Sequence, residues 1–271
     1  MAFSKITLNG TTLVDMTDAT AGEEQILSPY TAYGADGQKK TGTASGGYTV
    51  DDIIAREITG DIVTDASLGT EYLFYKTKIT SFSAPNMTRP QLYFLGYCTN
   101  LKSISFPAVT NVNYAQRICE GCTALTSVSM PNATSGNTTY MFRYCPIVKI
   151  ALPKFTGIIS SNTFRNCTYL EKVDSKATQI LNNNNFSSTA LNTLVLRNTA
   201  MCTLAGLNSF DHTPFASDGT GGTLYVPSAL IESYQSATNW STILGYENNQ
   251  ILPIEGSYYE THYADDTEVT T

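Results

Sequence analysis

Six cysteines and two histidines are the residues of this 271-residue chain best suited to metal, redox or nucleophilic chemistry. Cys119-x-x-Cys122 has the spacing of a zinc or thiol–disulfide motif. No second C-x-x-C and no nearby histidine completes a tetrahedral site. His212 and His262 stand fifty residues apart, so they are not paired by proximity in sequence. Glu23-Glu24, Asp51-Asp52 and Asp265-Asp266 are adjacent carboxylates, which point apart on most backbones and imply no acid–base couple by themselves. The Gly219–Gly222 loop lacks the Lys-Ser/Thr of a phosphate-binding loop. Stacked chain segments can bring distant carboxylates to glycosidase spacing, but nothing in the sequence nominates a pair. The expectation is therefore a non-enzymatic chain with no catalytic residue, no cofactor and no metal.

Four of the cysteines carry a different message. Cys98, Cys122, Cys145 and Cys167 follow one another at intervals of 24, 23 and 22 residues, each at the same place in a short phrase. Such a period signals one supersecondary unit stacked on copies of itself, because a single unit cannot bury its own apolar face. Coils about 4.8 Å apart lie within disulfide reach, so spacing alone permits bridges. Equivalent positions, however, carry parallel Cβ vectors. Buried, reduced cysteines acting as small hydrophobes are expected, and Cys119 reads as a core residue because Leu95, Phe142 and Phe164 share its slot.

After each cysteine comes an apolar–x–x–apolar–x–apolar–Pro phrase: Leu101 to Pro107, Leu125 to Pro131, Ile147 to Pro153, with an earlier copy from Ile79 to Pro85. Later copies at Leu170 and Leu191 lack the proline. The fourth and sixth positions are two apart and point to one side of a short strand. Proline gives no backbone donor and ends that strand. Ser81, Ser83, Ser103, Ser105, Ser127, Ser129, Lys149, Lys172, Asp174 and Thr193 fall between the inward residues. They predict the outer face of a parallel sheet, either simply solvated or a shallow ligand face. Leu73 is aligned with the slot three before the cysteine, which puts Lys76 in the cysteine column at one end and Ser188 at the other. Polar residues thus close the column at both ends.

The pattern L-x-x-[IV]-x-[FML]-P, preceded by F-x-x-C, resembles the BspA-like class of leucine-rich repeats over residues 70–200. The resemblance continues through Phe210–Phe215, the Gly219–Gly222 loop, Leu224–Pro227, Tyr234 and Asn239-Trp240-Ser241, which look like that family's C-terminal cap. It implies a mainly β solenoid with short parallel strands, one per coil. A small N-terminal β module and a C-terminal cap with a short helix complete the expected fold. Ser228 is a candidate N-cap, with Leu230, Ile231, Tyr234 and Ala237 at helical spacing behind it.

Composition agrees. An apolar content of 42% in 271 residues is enough for a full core. A net charge of −7 disfavours nucleic acid, which needs a cationic stripe. No apolar run approaches a membrane span, so membrane insertion is not expected. Met1 to Thr7 lacks the apolar stretch of a signal peptide, so a chain starting there is expected not to follow the secretory route.

Thr31 to Thr43, centred on an Asp36-Gly37 turn, resembles a short module near the start of tail-associated and other structural proteins of bacteriophages. Pro29-Tyr30 stand where that module has Gly-Lys. Ala44-Ser45-Gly46-Gly47 reads as a joint, and Asp51 or Asp52 as the cap of a brief helix through Ile53, Ile54 and Arg56. The expected organisation is residues 1–43 as an N-terminal β module, 44–48 as linker, 49–204 as solenoid with its N-terminal cap, 205–254 as C-terminal cap, and 255–271 as acidic tail. That tail is either frayed or an arm that orders against a partner.

The two resemblances imply a bacteriophage virion protein for structure or adhesion, docked to other virion proteins by its N-terminal module. It would assemble as a homo-oligomer and present the repeats to a host surface protein or glycan. The alternative is a BspA-like adhesin at the bacterial cell surface. Tyr93, Tyr97, Arg117, Tyr140, Arg143, Tyr144 and Arg165 recur just before the cysteine column. They predict stripes along one edge, either as a cover for the core or as a binding surface, since tyrosine and arginine are enriched at interaction hot spots.

Overall fold

The computed structural model describes residues 71–269 together with strands β1 (Lys5–Leu8), β2 (Thr11–Asp15), β3 (Thr31–Tyr33), β4 (Lys39–Thr41) and β5 (Thr59–Thr64). The expected Asp51/Asp52 helix lies outside the described residues. So does the Asp36-Gly37 turn, although the strands on either side of it pair antiparallel, Tyr33 opposite Lys39.

From β5 onward the chain is a parallel solenoid. Strands β6 (Lys78–Ser83), β7 (Ser103–Ser105) and β8 (Ser127–Ser129) add to β5 in order. β1 pairs antiparallel on the other side of β5 and β2 on β1, which extends the same sheet. A second ladder runs through β9 (Lys149–Leu152), β11 (Lys172–Ser175), β13 (Thr193–Leu196), β15 (Thr223–Val226) and β16 (Gln250–Pro253). A side sheet of two-residue strands, β10 (Ile158–Ile159), β12 (Gln179–Ile180) and β14 (Thr203–Leu204), forms another flank of the coils. The prolines act as expected: β6, β7, β8 and β9 all stop just before Pro85, Pro107, Pro131 and Pro153.

The inward residues fill one continuous core with the phenylalanines stacked along its axis. Phe142, Phe164, Phe186 and Phe210 follow at ring separations of 5.7, 5.7 and 5.4 Å. All six cysteines are buried free thiols. Each thiol of the column donates to a carbonyl of the preceding coil: Cys98 to Phe74 at 2.8 Å, Cys122 to Leu95 at 3.1 Å, Cys145 to Cys119 and Cys167 to Phe142 at 3.0 Å. Burial pushes Cys98 and Cys167 up to about 12.

The ends of the column need a correction of one residue. Phe74, not Leu73, is the buried member of the first coil, and Thr77, not Lys76, occupies the cysteine position. The Thr77 N–H bonds Phe74 O as the Cys98 N–H bonds Leu95 O. At the far end Thr189, not Ser188, is in register, its N–H bonding Phe186 O. The register is set by the residue just before the column, which is left-handed at Lys76, Tyr97, Tyr144 and Ser188 alike. The closing residues are still polar: the Thr77 hydroxyl donates to Phe74 O at 2.9 Å, and two coils past Cys167 the Thr213 hydroxyl donates to Phe210 O at 2.7 Å.

The C-terminal cap follows β15. Ser228 opens a 3-10 turn rather than capping a helix with its hydroxyl; helix α1 starts at Ile231 and runs to Ser236. The capping group comes from elsewhere: the Ser228 N–H donates to the Glu255 carboxylate at 2.9 Å. Tyr234 on α1 and Trp240 at the start of α2 (Trp240–Leu244) clamp the backbone of one residue from both sides. The Cys202 N–H donates to the Tyr234 hydroxyl at 2.8 Å, and the Trp240 indole donates to Cys202 O at 2.7 Å.

The acidic tail is ordered. Residues 255–269 fold back over the strand face, where Val195, Ile254, Tyr259 and Ala264 make a second small core. The outer face of the second ladder is therefore not simply solvated as the alternation allowed. Asp174 and Val195 are fully buried beneath the arm. Asp174 is paid for by Arg197, which also donates to the carbonyls of Tyr259 and His262 at 2.8 Å.

Candidate recognition surface

The candidate surface lies on the turn edge of the coils, just before the cysteine column. Each coil there makes tight turns that place two residues in the left-handed region. One slot holds Tyr72, Tyr93, Arg117, Tyr140, Asn162 and Asn184; the other holds Lys76, Tyr97, Gly121, Tyr144, Asn166 and Ser188. Backbone hydrogen bonds stack these slots in register, Tyr93 N to Gln116 O, Arg117 N to Thr139 O and Tyr140 N to Ser161 O. Slot-sharing by Tyr93, Arg117 and Tyr140, and by Tyr97 and Tyr144, follows directly.

Left-handed backbone favours glycine and asparagine. The later coils follow that rule at Asn162, Asn166 and Asn184 and use the small Ser188 in the remaining place, whereas the earlier coils put large side chains in the same slots. Gly121 is the exception that serves a neighbour: at φ +73° it sits beneath the Tyr97 ring, which a Cβ would meet at 2.5 Å.

The side chains interlock. The Arg117 guanidinium lies 3.9 Å from the Tyr140 ring centre and 5.3 Å from that of Tyr93. Arg143 lies 4.5 Å from the Tyr144 ring and 5.3 Å from Tyr140. Arg117 donates to the Tyr93 hydroxyl at 2.9 Å and Arg143 to the Tyr144 hydroxyl at 2.7 Å. Beneath them Glu120, buried to 1% exposure, accepts from Arg117 at 2.6 Å and from Arg143 at 3.4 Å. A buried carboxylate between two guanidiniums fixes both in place. Burial, ahead of the Glu120 charge, raises the Tyr93 and Tyr97 phenols above their ordinary value, so both are neutral hydrogen-bonding groups near pH 7.

Six of the seven sequence-derived residues thus form one connected patch. Arg165, in the next coil, instead donates to Asn162 at 3.2 Å and backs Tyr144 through its carbonyl. Two aromatics escaped the sequence reading. Tyr72 stacks on Tyr93 at 5.0 Å and Tyr75 meets Tyr93 and Tyr97 edge-on at 5.4 and 5.7 Å. With the first coil in its observed register, Tyr72 shares the slot of Tyr93, and that shift was the available signal. Among the described residues no group of three or more histidine, cysteine or acidic side chains is placed to hold a metal, and no helix is long and apolar enough to cross a membrane.

Comparison with known proteins agrees with this architecture. No curated protein sequence matches the chain. The fold matches, with a TM-score of 0.53, the crystal structure of a leucine rich cell surface protein from Faecalibacterium prausnitzii A2-165, at 19% identity. The match covers 77% of this chain but 55% of the other, so the chain spans little more than half of that protein's length. The BspA type leucine rich repeat region, in six copies, matches residues 67–119 and 93–214, together more than half of the 271 residues. The chain belongs to the BspA-type leucine-rich-repeat family.

Proposed function

We propose that this chain is a non-catalytic recognition protein displayed at a bacterial cell surface, which engages its target through the tyrosine–arginine edge. The observation that carries this reading is the choice of residues in the left-handed slots. Placing a bulky side chain there costs roughly 1 kcal/mol or more per residue, and the same chain uses asparagine where nothing else is required. Tyrosine and arginine at Tyr72, Tyr93, Tyr97, Arg117, Tyr140 and Tyr144 are explained by what their side chains do at the surface. Tyr144 is 39% and Tyr72 45% exposed, while the arginines are locked by Glu120, so the patch is preorganised and loses little freedom on binding.

The cell-surface location draws on the leucine rich cell surface protein whose fold it shares. The virion reading rests on the N-terminal phrase from Thr31 to Thr43. The family match begins at residue 67 and leaves that phrase without support.

Antibody raised against residues 71–269 should label the outside of intact bacteria that carry the gene. Labelling confined to phage particles would transfer the proposal to a virion, and labelling of the cytoplasm alone would overturn surface display.

A further inference from the structure

The strand face has a seam. β7 pairs with β8 and β9 with β11, yet no ladder joins β8 to β9, although they belong to consecutive coils. The stack is not broken there. On the turn edge Cys119 N bonds Met141 O, and on the opposite flank Thr156 N bonds Thr134 O and Asn137 bridges to Ile158. The coils are pinned on two flanks and opened on the third. Val128 records the opening: it is only partly buried, whereas its equivalents Ile104, Ile150 and Val173 are 2% exposed or less.

A cleft of about 680 Å³ occupies the seam, walled by both coils and, on one side, by the C-terminal arm. We propose that this cleft binds a neutral oligosaccharide. Its lining mixes hydroxyls, an amide, ammonium groups and carboxylates, the combination that satisfies ligand hydroxyls acting as donor and acceptor together. Ser127 and Ser129 are exposed on the floor. Asn132 is held in position at both ends: its amide donates to Pro107 O at 2.8 Å and its oxygen accepts from Lys154 at 2.7 Å. From the arm, Asp265 is fixed by the Thr267 N–H at 3.1 Å and the Thr267 hydroxyl at 2.6 Å.

Charge balance argues for a neutral ligand. Lys154 and Lys176 on the coils are offset by Asp265 and Glu268 on the arm, while Lys149 is taken up by Asp266. Tyr263 supplies a ring at the rim for the apolar face of a sugar, and the Arg197 guanidinium packs 4.8 Å from its centre. The unpaired strand edges leave backbone amides and carbonyls at the seam for further hydrogen bonds.

The test is calorimetric titration of the full chain with hexasaccharides of α-1,4-glucose, β-1,4-glucose, β-1,4-mannose and N-acetylglucosamine, and with an oligogalacturonate as the acidic comparison. At least one should bind with a Kd of about 1 mM or tighter. Lys154→Ala and Ser129→Phe, both at exposed positions, should weaken that ligand about tenfold or more, with unchanged melting temperature. Lys102→Ala, on the same face but outside the cleft, should bind normally. Replacing the edge tyrosines should also leave saccharide binding intact, which separates this site from the recognition edge. No binding by any of the four sugars would overturn the proposal. So would equal binding by the cleft variants, or binding only by an oligogalacturonate.

Discussion

Asp174 and Arg197 form a bidentate ion pair on the strand face, Nε to Oδ1 and Nη2 to Oδ2 both at 2.7 Å, sealed beneath the C-terminal arm. The second carboxylate oxygen also accepts the Ala264 N–H at 3.1 Å, so a single acidic residue in one coil anchors a segment ninety positions later. Arg197 completes the join through the carbonyls of Tyr259 and His262.

Breaking that pair should release the arm. Arg197→Met leaves Asp174 buried without its partner, a change that costs about 3–5 kcal/mol in comparable buried pairs. Hydrogen exchange at the Ala264 amide should accelerate by orders of magnitude, and proteases should cut within 255–269. The paired substitution Asp174→Leu with Arg197→Met should recover much of the loss, because no unpaired charge remains.

The thiols should be inert in the folded protein. Burial pushes Cys98, Cys167 and Cys202 up to about 12 and Cys119 and Cys145 well above the ordinary thiol value, so thiolate is scarce at neutral pH. Titration with a thiol reagent should find none reactive in the native state and six after unfolding. Rapid labelling of Cys122 in native protein would contradict the hydrogen-bonded column.

Acid should weaken one contact of the arm selectively. The hydrogen bond from Lys149 holds Asp266 below its ordinary value of 3.8. A depressed carboxyl contributes stability that is present above its unfolded value and lost as pH falls through its folded one. Burial raises Asp174 and so acts in the opposite sense; the comparison must therefore be made against Asp266→Asn. The melting temperature of the native chain should exceed that of the variant near pH 7, and the difference should shrink as pH drops below 3.8 and vanish once it is below the lowered value of the folded state. A difference that persists in acid would show that Asp266 acts through packing.

How much of this was legible in the sequence follows from the range of each interaction. Cys98, Leu101, Ile104, Phe106 and Pro107 sit in one short phrase whose copies all obey one geometry, so strands, inward faces and the thiol column could be read directly. In the first coil the sequence spacing puts Lys76 in the cysteine position, one residue short of Thr77. The left-handed backbone of Lys76 aligns it with Tyr97 instead, and the same offset conceals Tyr72. The arm was open to two readings because its anchor, Asp174, looked like any other outward residue of a strand. Nothing local marks it for burial. The seam was invisible for a related reason: Ser127-Val128-Ser129 repeats Ser103-Ile104-Ser105, and the loss of pairing depends on how the next coil seats.

The central claim is that the edge tyrosines are kept for recognition. Its most direct test is the triple variant Tyr97→Asn, Tyr140→Asn and Tyr144→Asn, which installs the residue that the chain itself uses at 162, 166 and 184 in these same slots. Asparagine relieves the left-handed backbone, so the melting temperature should stay within a few degrees of the native chain. Adsorption of the labelled protein to its target cells should fall at least tenfold, the loss of about 1.4 kcal/mol or more expected for hot-spot aromatics. Unchanged adsorption by a folded triple variant would contradict the account and leave the edge as a cover for the core.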